Sequence, residues 1–460
     1  MSWTIGYGFK RRSYILYHNS RHFFGTQWAG GVVLLFFVVV AMLLANLPFT
    51  AEFYHDLLEA PVGVKVGRFD LHFNVEKFVN DGLMMIFFFS VGLEIKREIV
   101  SGHLSTVQKA ILPVAGALGG MIMPAIIYTL FNHGTPYAHG WGIPMATDIA
   151  FAIAIMSIVG KKVPVGMKVF LTALAVADDL GSILVIAIFY GTTIHFDLLL
   201  LAALVLVVAW LLNKLKVSGL LVYVCIGVVL WLLFYHSGIH ATIAGVLLAM
   251  FVPSKPKYNK KYFLNKVRFL MDDFVKQDRG EVAVTENEEQ MTDLYRIRHI
   301  ALDSASLSQR FEHMLSPWVN FFIMPLFALV NAGVPVESLD DLNVLASTQG
   351  LGIVCGLWIG KPLGIILMSW LFVKAKLAEM PEGVHWGMFA AVACLGGIGF
   401  TMSIFMDTLA FAAQPHFIAE GKIAVLIGSV IAAVTGLIAV HFAHKAAVRR
   451  GTGAATDAAM

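Results

Sequence analysis

Asp178 and Asp179 stand side by side in LTALAVADDLGSILVIAI (171–188), a stretch that is otherwise uncharged. On insertion scales a charge at mid-bilayer costs about 2.5–3.5 kcal/mol, so such residues persist where they face a wet cavity or a partner. Neighbouring helix positions point about 100° apart. One carboxylate can therefore face a cavity while the other meets an adjoining helix. Two acids in one field resist being charged together. That pair can hold either protons or a hard cation near neutral pH. The plainer alternative is a polar pair that only ties helices together.

Two further charges lie in apolar surroundings. Asp148 follows Thr147 in IPMATDIAFAIA (143–154), and Lys361 sits in LWIGKPLG (357–364). A lysine in mid-span needs a counter-charge, and the acids are the candidates; the bland reading is that it snorkels to an interface. In CLGGIGFTMS (394–403), Gly396, Gly397 and Gly399 surround one isoleucine and are followed by Thr401 and Ser403. Glycine weakens a helix by about 1 kcal/mol relative to alanine. With WGIPMATDI (141–149), this predicts two interrupted helices, the sequence pointer to a transport site. Half-helix N-termini are positive and C-termini negative; Asp148 can neutralise the first and Lys361 the second.

The elements that must position these residues are membrane helices. Of 460 residues, 58% are hydrophobic and 14% charged, against about 45–50% and about 25% in soluble domains. The excess falls into runs of roughly 18–25 residues, long enough to cross a bilayer as helices. The fold class is all-α and polytopic, with about twelve spans near 28–47, 77–97, 108–131, 143–160, 165–190, 197–213, 218–235, 238–253, 316–334, 348–375, 385–411 and 421–444. The first run is too long for a signal-peptide core and reads as a retained helix. Lys and Arg collect at the N-terminus (Lys10, Arg11, Arg12, Arg21), in the loops after even-numbered spans, and at the C-terminus, while 337-ESLDD-341 is acidic. That asymmetry places both termini in the cytoplasm. The organisation is then a cytoplasmic N-terminus (1–27), spans one to eight (28–253), a charged cytoplasmic insertion (254–315), spans nine to twelve (316–444) and a tail (445–460). Cys225, Cys355 and Cys394 lie in apolar runs without metal-ligand spacing and read as small buried hydrophobes. No cofactor is expected, and the basic residues form no nucleic-acid patch.

Nearer the cytoplasmic face, Glu94, Arg97 and Glu98 lie within 91-VGLEIKREIVSG-102, and Glu312 and His313 within 311-FEHMLSPW-318. The bland reading for each is a solvated helix end.

Several stretches resemble the NhaA-type bacterial Na⁺/H⁺ antiporters: DGLMMIFFFSVGLEIKRE, MATDIAFAIAI, LTALAVADDLGSI, SGIHATIAGVLLA, FEHMLSPW, PLFALVNAGV, GKPLG and GGIGFTMSIF, in family order. The resemblance implies twelve helices with spans three to five and ten to twelve as an inverted repeat, a build for which this family is itself a known example. It implies that spans four and eleven unwind and cross. It also implies exchange of Na⁺ or Li⁺ for H⁺ in a bacterial inner membrane, pH-regulated and electrogenic. Asp179 would be the principal Na⁺ ligand, and Asp178 a second ligand and the partner of Lys361. Thr147 and Asp148 would flank the site. Glu94, Arg97, Glu98, His240, Glu312 and His313 match positions tied to pH response. Expected partners are Na⁺, Li⁺, H⁺ and membrane lipid, with a homodimer as one assembly. The chain departs from the family pattern at Ser316, where some members carry histidine, and in the long loop before Glu312.

Two rivals belong to other classes. An intramembrane aspartyl protease also needs two membrane acids, but its G-x-G-D is absent, since 397-GIGF-400 has phenylalanine at the acid position. A proton-coupled carrier of another small solute would use Lys361 to meet an anion.

Overall fold

The computed structural model describes residues 29–66, 69–191, 195–278, 280, 283–336, 347–381 and 383–449. The basic N-terminal residues Lys10, Arg11, Arg12 and Arg21, the acidic segment 337–341 and the end of the tail from Arg450 onwards lie outside them.

Without water in the hydrocarbon layer, each backbone N–H and C=O must be satisfied within its own segment, so apolar runs become helices. Among the described residues nine helices are long and apolar enough to cross a membrane. Two more spans are broken pairs, Pro136–Met145 with Ile149–Val159 (bent 45°) and Trp386–Leu395 with Phe400–Ala410 (bent 50°). The short apolar helix Thr242–Phe251 stands at the expected eighth span. The expected breaks at spans four and eleven are thus present. One element departs from the all-α expectation: Pro61–Val66 (β1) pairs antiparallel with Phe69–Asn74 (β2), Pro61 opposite Asn74 and Val66 opposite Phe69. Val62, Val64 and Val66 alternate along β1, a pattern with period two that suits a strand. Cys225, expected inside, is exposed on Leu220–Ser237.

The chain forms two compact units. The first comprises residues Met1–Met84, Ser101–Gly191 and Pro317–Met460, and the second Met85–Val100 and Thr192–Ser316. The first unit contains span three (Val107–Asn132), span five (Val165–Phe189), span ten (Thr348–Lys374), span twelve (Pro415–Arg449) and both broken spans. Spans three and ten cross through small residues: a Cβ on Gly119 would strike the backbone of Gly364, and a Cβ on Gly364 the backbone of Gly119. Small residues let membrane helices approach this closely. Neither side can yield by rotating a side chain. Gly364→Ala is therefore expected to lie at the upper end of the overpacking range, about 3 kcal/mol. The melting temperature of the purified variant checks this, and an unchanged value would mean the crossing is slack.

The second unit contains span six (Phe196–Lys214), span seven (Leu220–Ser237), the Thr242–Phe251 helix and the charged insertion. The insertion, expected to be partly helical, forms Lys260–Lys276 and Glu288–Ser304. Asn259 and Asn287 cap these two helices by accepting from Tyr262 N and Gln290 N. Gln290 Nε2 and Asn287 Nδ2 then donate to the carbonyls of Phe274 and Gln277 at the end of the first helix, which fixes the pair as a hairpin.

Candidate functional site

The two breaks in the first unit meet. Span four loses its helix between Met145 and Ile149, and span eleven between Leu395 and Phe400, so Gly396, Gly397 and Gly399 all lie in the second break. The unwound backbones bond to each other: Asp148 N donates to the carbonyl of Ile398 (2.8 Å). The Thr147 hydroxyl lies 3.0 Å from the carbonyl of Gly396 and 2.7 Å from Asp178 Oδ2, so its one proton serves either acceptor. Phe400 enters the next helix at φ +29°, a costly conformation for an L-residue. Its N–H donates to Ser429 Oγ on span twelve, 3.0 Å away.

Asp148 is 1% exposed and serves both half-helices that start at the crossing. Its Oδ1 caps Ile149–Val159 by accepting from Phe151 N (3.0 Å). Its Oδ2 accepts from the backbone N–H of Thr401 (3.3 Å) and from the Thr401 hydroxyl, at the start of Phe400–Ala410. A helix N-terminus carries roughly +0.5 charge; two of them offset one carboxylate. The sequence expectation gave Asp148 one N-terminus. It has two, and Thr401, marked in the sequence only as a polar residue after the glycines, is its partner at the second.

Lys361 is fully buried, which excludes snorkelling. Its Nζ donates to Asp178 Oδ2 (2.7 Å) and to the carbonyl of Met145, the last residue of the first half of span four. The ammonium thus meets a carboxylate and a helix C-terminus together. Asp178 is 0% exposed and Asp179 2%; Asp179 also acts on Lys361 electrostatically. One turn from Asp178 on the same face, Ser182 is buried as well. Among the described residues Asp178 Oδ1 and Ser182 Oγ have no hydrogen-bond donor, which leaves hard oxygen acceptors open at the crossing.

The residues expected to respond to pH divide into those brought together and those kept apart. In the second unit Arg97 lies at the centre of three carboxylates: Nη2 is 3.6 Å from Glu94 Oε1 and 3.2 Å from Glu98 Oε1, while Nη1 bonds Glu312 Oε1. His313 is exposed next to Glu312 in the chain. His240 precedes the ten-residue helix Thr242–Phe251, whose length is about 15 Å. Beyond its far end, Lys96 Nζ donates to the carbonyls of Ala249, Met250 and Val252. His240 is thus placed apart from the arginine cluster. Lys96 was not expected at a functional position; it satisfies the C-terminal carbonyls of that helix.

The family profile described as Na⁺/H⁺ antiporter 1 matches residues 21–440. The chain is similar to the Na(+)/H(+) antiporter NhaA of Oleidesulfovibrio alaskensis, with 44% identity over 90% of this chain and 92% of that protein. It is 41% identical to the proteins of the same name from Citrobacter koseri and Escherichia coli O1:K1 / APEC, over 90% of this chain and 95% of each. A profile spanning nearly all the helices, and relatives matched over nine-tenths of the chain, establish that this chain belongs to the NhaA family of Na⁺/H⁺ antiporters.

Proposed function

We propose that the chain is a secondary transporter, not an enzyme, that exchanges cytoplasmic Na⁺ or Li⁺ for external H⁺ across a bacterial inner membrane, with both termini in the cytoplasm. The charge sum at the helix crossing carries this reading. Asp148, Asp178 and Asp179 supply three negative charges among the described residues. Two helix N-termini offset about one, while the two helix C-termini at Met145 and Leu395 add about one back, and Lys361 offsets another. The crossing as a whole is then about two positive charges short, and protons or an alkali cation can supply them. Na⁺ is a hard ion that takes oxygen ligands. Asp179 and Asp178 are the proposed ligands, with Thr147 and the freed backbone carbonyls of the breaks beside them. Competition between H⁺ and Na⁺ for the same oxygens couples their movement. Both aspartates are closed off here, so access from either face needs a rearrangement around the site, as alternating access requires. Two acids at the site can release more than one proton per Na⁺, which would make exchange electrogenic.

Reconstituted vesicles test this directly. Adding Na⁺ or Li⁺ on one side should move protons the opposite way, faster when the membrane potential favours the net charge moved. Vesicles in which neither ion moves protons anywhere in the neutral range would refute the reading.

The Arg97 cluster is the proposed pH-responsive element. Its three ion pairs are partly exposed and worth about 0.2–1 kcal/mol each, so Arg97→Gln should lower the melting temperature by no more than a few degrees. Without the guanidinium, Glu94, Glu98 and Glu312 repel one another. The pH of half-maximal exchange is expected to rise by about 0.5–1 unit at an unchanged maximal rate. An unshifted profile would exclude the cluster from regulation.

A further inference from the structure

The crossing does not account for every buried acid in the first unit. Asp407, near the C-terminal end of Phe400–Ala410, is 0% exposed, and among the described residues neither of its carboxyl oxygens has a hydrogen-bond partner. The position is shaped for the carboxyl group: a Cβ on Gly421 of span twelve would run into it. Four residues earlier on the same helix, Ser403 is also 0% exposed, and its hydroxyl has no partner. Residues four apart share a helix face about 6 Å apart along the axis. In the same turn as Ser403, on another face, Thr401 binds Asp148 at the crossing. Ser403 and Asp407 therefore occupy successive turns of one face of a helix that starts at the crossing and whose neighbouring side chains, Phe405 and Met406 among them, are buried and apolar.

Lys422 and Glu420 of span twelve act on Asp407 electrostatically, and Asp407 acts on Tyr128 of span three and Tyr190 at the end of span five. The hydroxyls of Tyr128 and Tyr190 are engaged with the carbonyls of Tyr137 and His139, and neither is a hydrogen-bond partner of Asp407. Lys422 is also drawn to Glu76. A buried carboxyl without a hydrogen-bond donor is costly to keep charged. A proton removes that charge with one O–H bond, whereas Na⁺ takes several oxygen ligands, and among the described residues neither carboxyl oxygen of Asp407 has a hydrogen-bond partner.

We propose that Asp407 is a second proton-exchanging carboxylate of the transporter. With the Ser403 hydroxyl, it passes protons between the crossing and the end of span eleven marked by Ala410. The step is a simple transfer: hydronium gives its proton to a carboxyl oxygen, an O–H bond forms and water is left, and the reverse step releases the proton. Serine can relay because its hydroxyl donates and accepts at once. The proposal rests on the exchange function proposed above, but the aspartate pair could lose that role without changing what Asp407 binds.

The test uses the full chain in lipid vesicles. Infrared difference spectra between acid and alkaline buffer should contain the carbonyl band of a protonated carboxylic acid. Asp407→Asn should remove it, and Asp407→Glu should restore it at a shifted frequency. Proton flux driven by saturating Na⁺ should fall roughly tenfold or more in Asp407→Asn, a modest effect for a proton-transfer group. The Na⁺ concentration giving half the maximal rate should be unchanged. Ser403→Ala, which removes only a hydroxyl, should slow flux by about threefold, well short of the effect of removing an acid–base group. An Asp407→Asn spectrum that keeps every acid band overturns the proposal, as does wild-type flux in either variant. Loss of exchange in Asp179→Asn with the Asp407 band retained would concern the aspartate pair alone.

Discussion

Asp179→Asn is expected to lower Na⁺-driven proton exchange at least about 100-fold while the protein still folds. Asparagine keeps the shape of the side chain and removes its charge and its titration. A hydrogen bond or ligand contact involving a charged group is worth about 1.5–3 kcal/mol, and each 1.36 kcal/mol is a factor of ten. Weaker binding of Na⁺ alone thus gives about 10- to 100-fold. The amide also has no proton to release when Na⁺ arrives, so the coupling between the two ions is lost together with the affinity. The position is 2% exposed in the middle of span five, and a neutral side chain there removes a buried charge without opening a cavity. Two measurements separate the effects. Calorimetry reads Na⁺ binding and the protons released with it, and vesicle flux reads exchange. Wild-type flux in this variant would remove Asp179 from the site.

Much of the fold could be read from the chain because lipid imposes so coarse a demand. Each crossing needs a long apolar run, and the bounds expected for span ten (348–375) and span five (165–190) lie within one residue of Thr348–Lys374 and Val165–Phe189. Span twelve was less legible: its helix begins at Pro415 and continues to Arg449, beyond the expected 421–444 at both ends, because those ends carry His416, Glu420, Lys445 and Arg449 and have little hydropathy signal. The breaks at spans four and eleven were legible from proline and glycine. What those breaks bind was not. The second partner of Lys361 is the carbonyl of Met145, a backbone group that no residue type announces. Asp148 and Thr401 are 253 positions apart, and only the crossing joins them. Lys96 and Arg97 show the same limit at short range. They are adjacent in sequence, yet a 100° turn sends one to the carbonyls of Ala249, Met250 and Val252 and the other to three glutamates. Asp407 did carry a signal, an acid in the apolar segment 400-FTMSIFMDTLAF-411, of the same kind that singled out Asp178.

Lys361→Ala is expected to destabilise the protein by about 3–5 kcal/mol, the range for removing one partner of a buried ion pair. The loss has two parts. Asp178, 0% exposed, keeps its charge and loses the ammonium 2.7 Å away. The carbonyl of Met145, at the end of a half-helix, loses a donor in a place water does not reach. Asp178→Asn in the same chain removes the first part. The double variant should therefore recover most of the deficit, an interaction energy that a double-mutant cycle measures. Acid should do the same by another route. A proton on Asp178 replaces the missing ammonium, so the single variant should be least stable in alkaline buffer and approach wild type as pH falls, while the double variant should lose this dependence. Thermal melting of the four proteins at several pH values decides the matter. Additive losses, or a deficit in Lys361→Ala that does not change with pH, would mean that Lys361 contributes through packing alone. In that case the charge sum at the crossing would have to be drawn again without it.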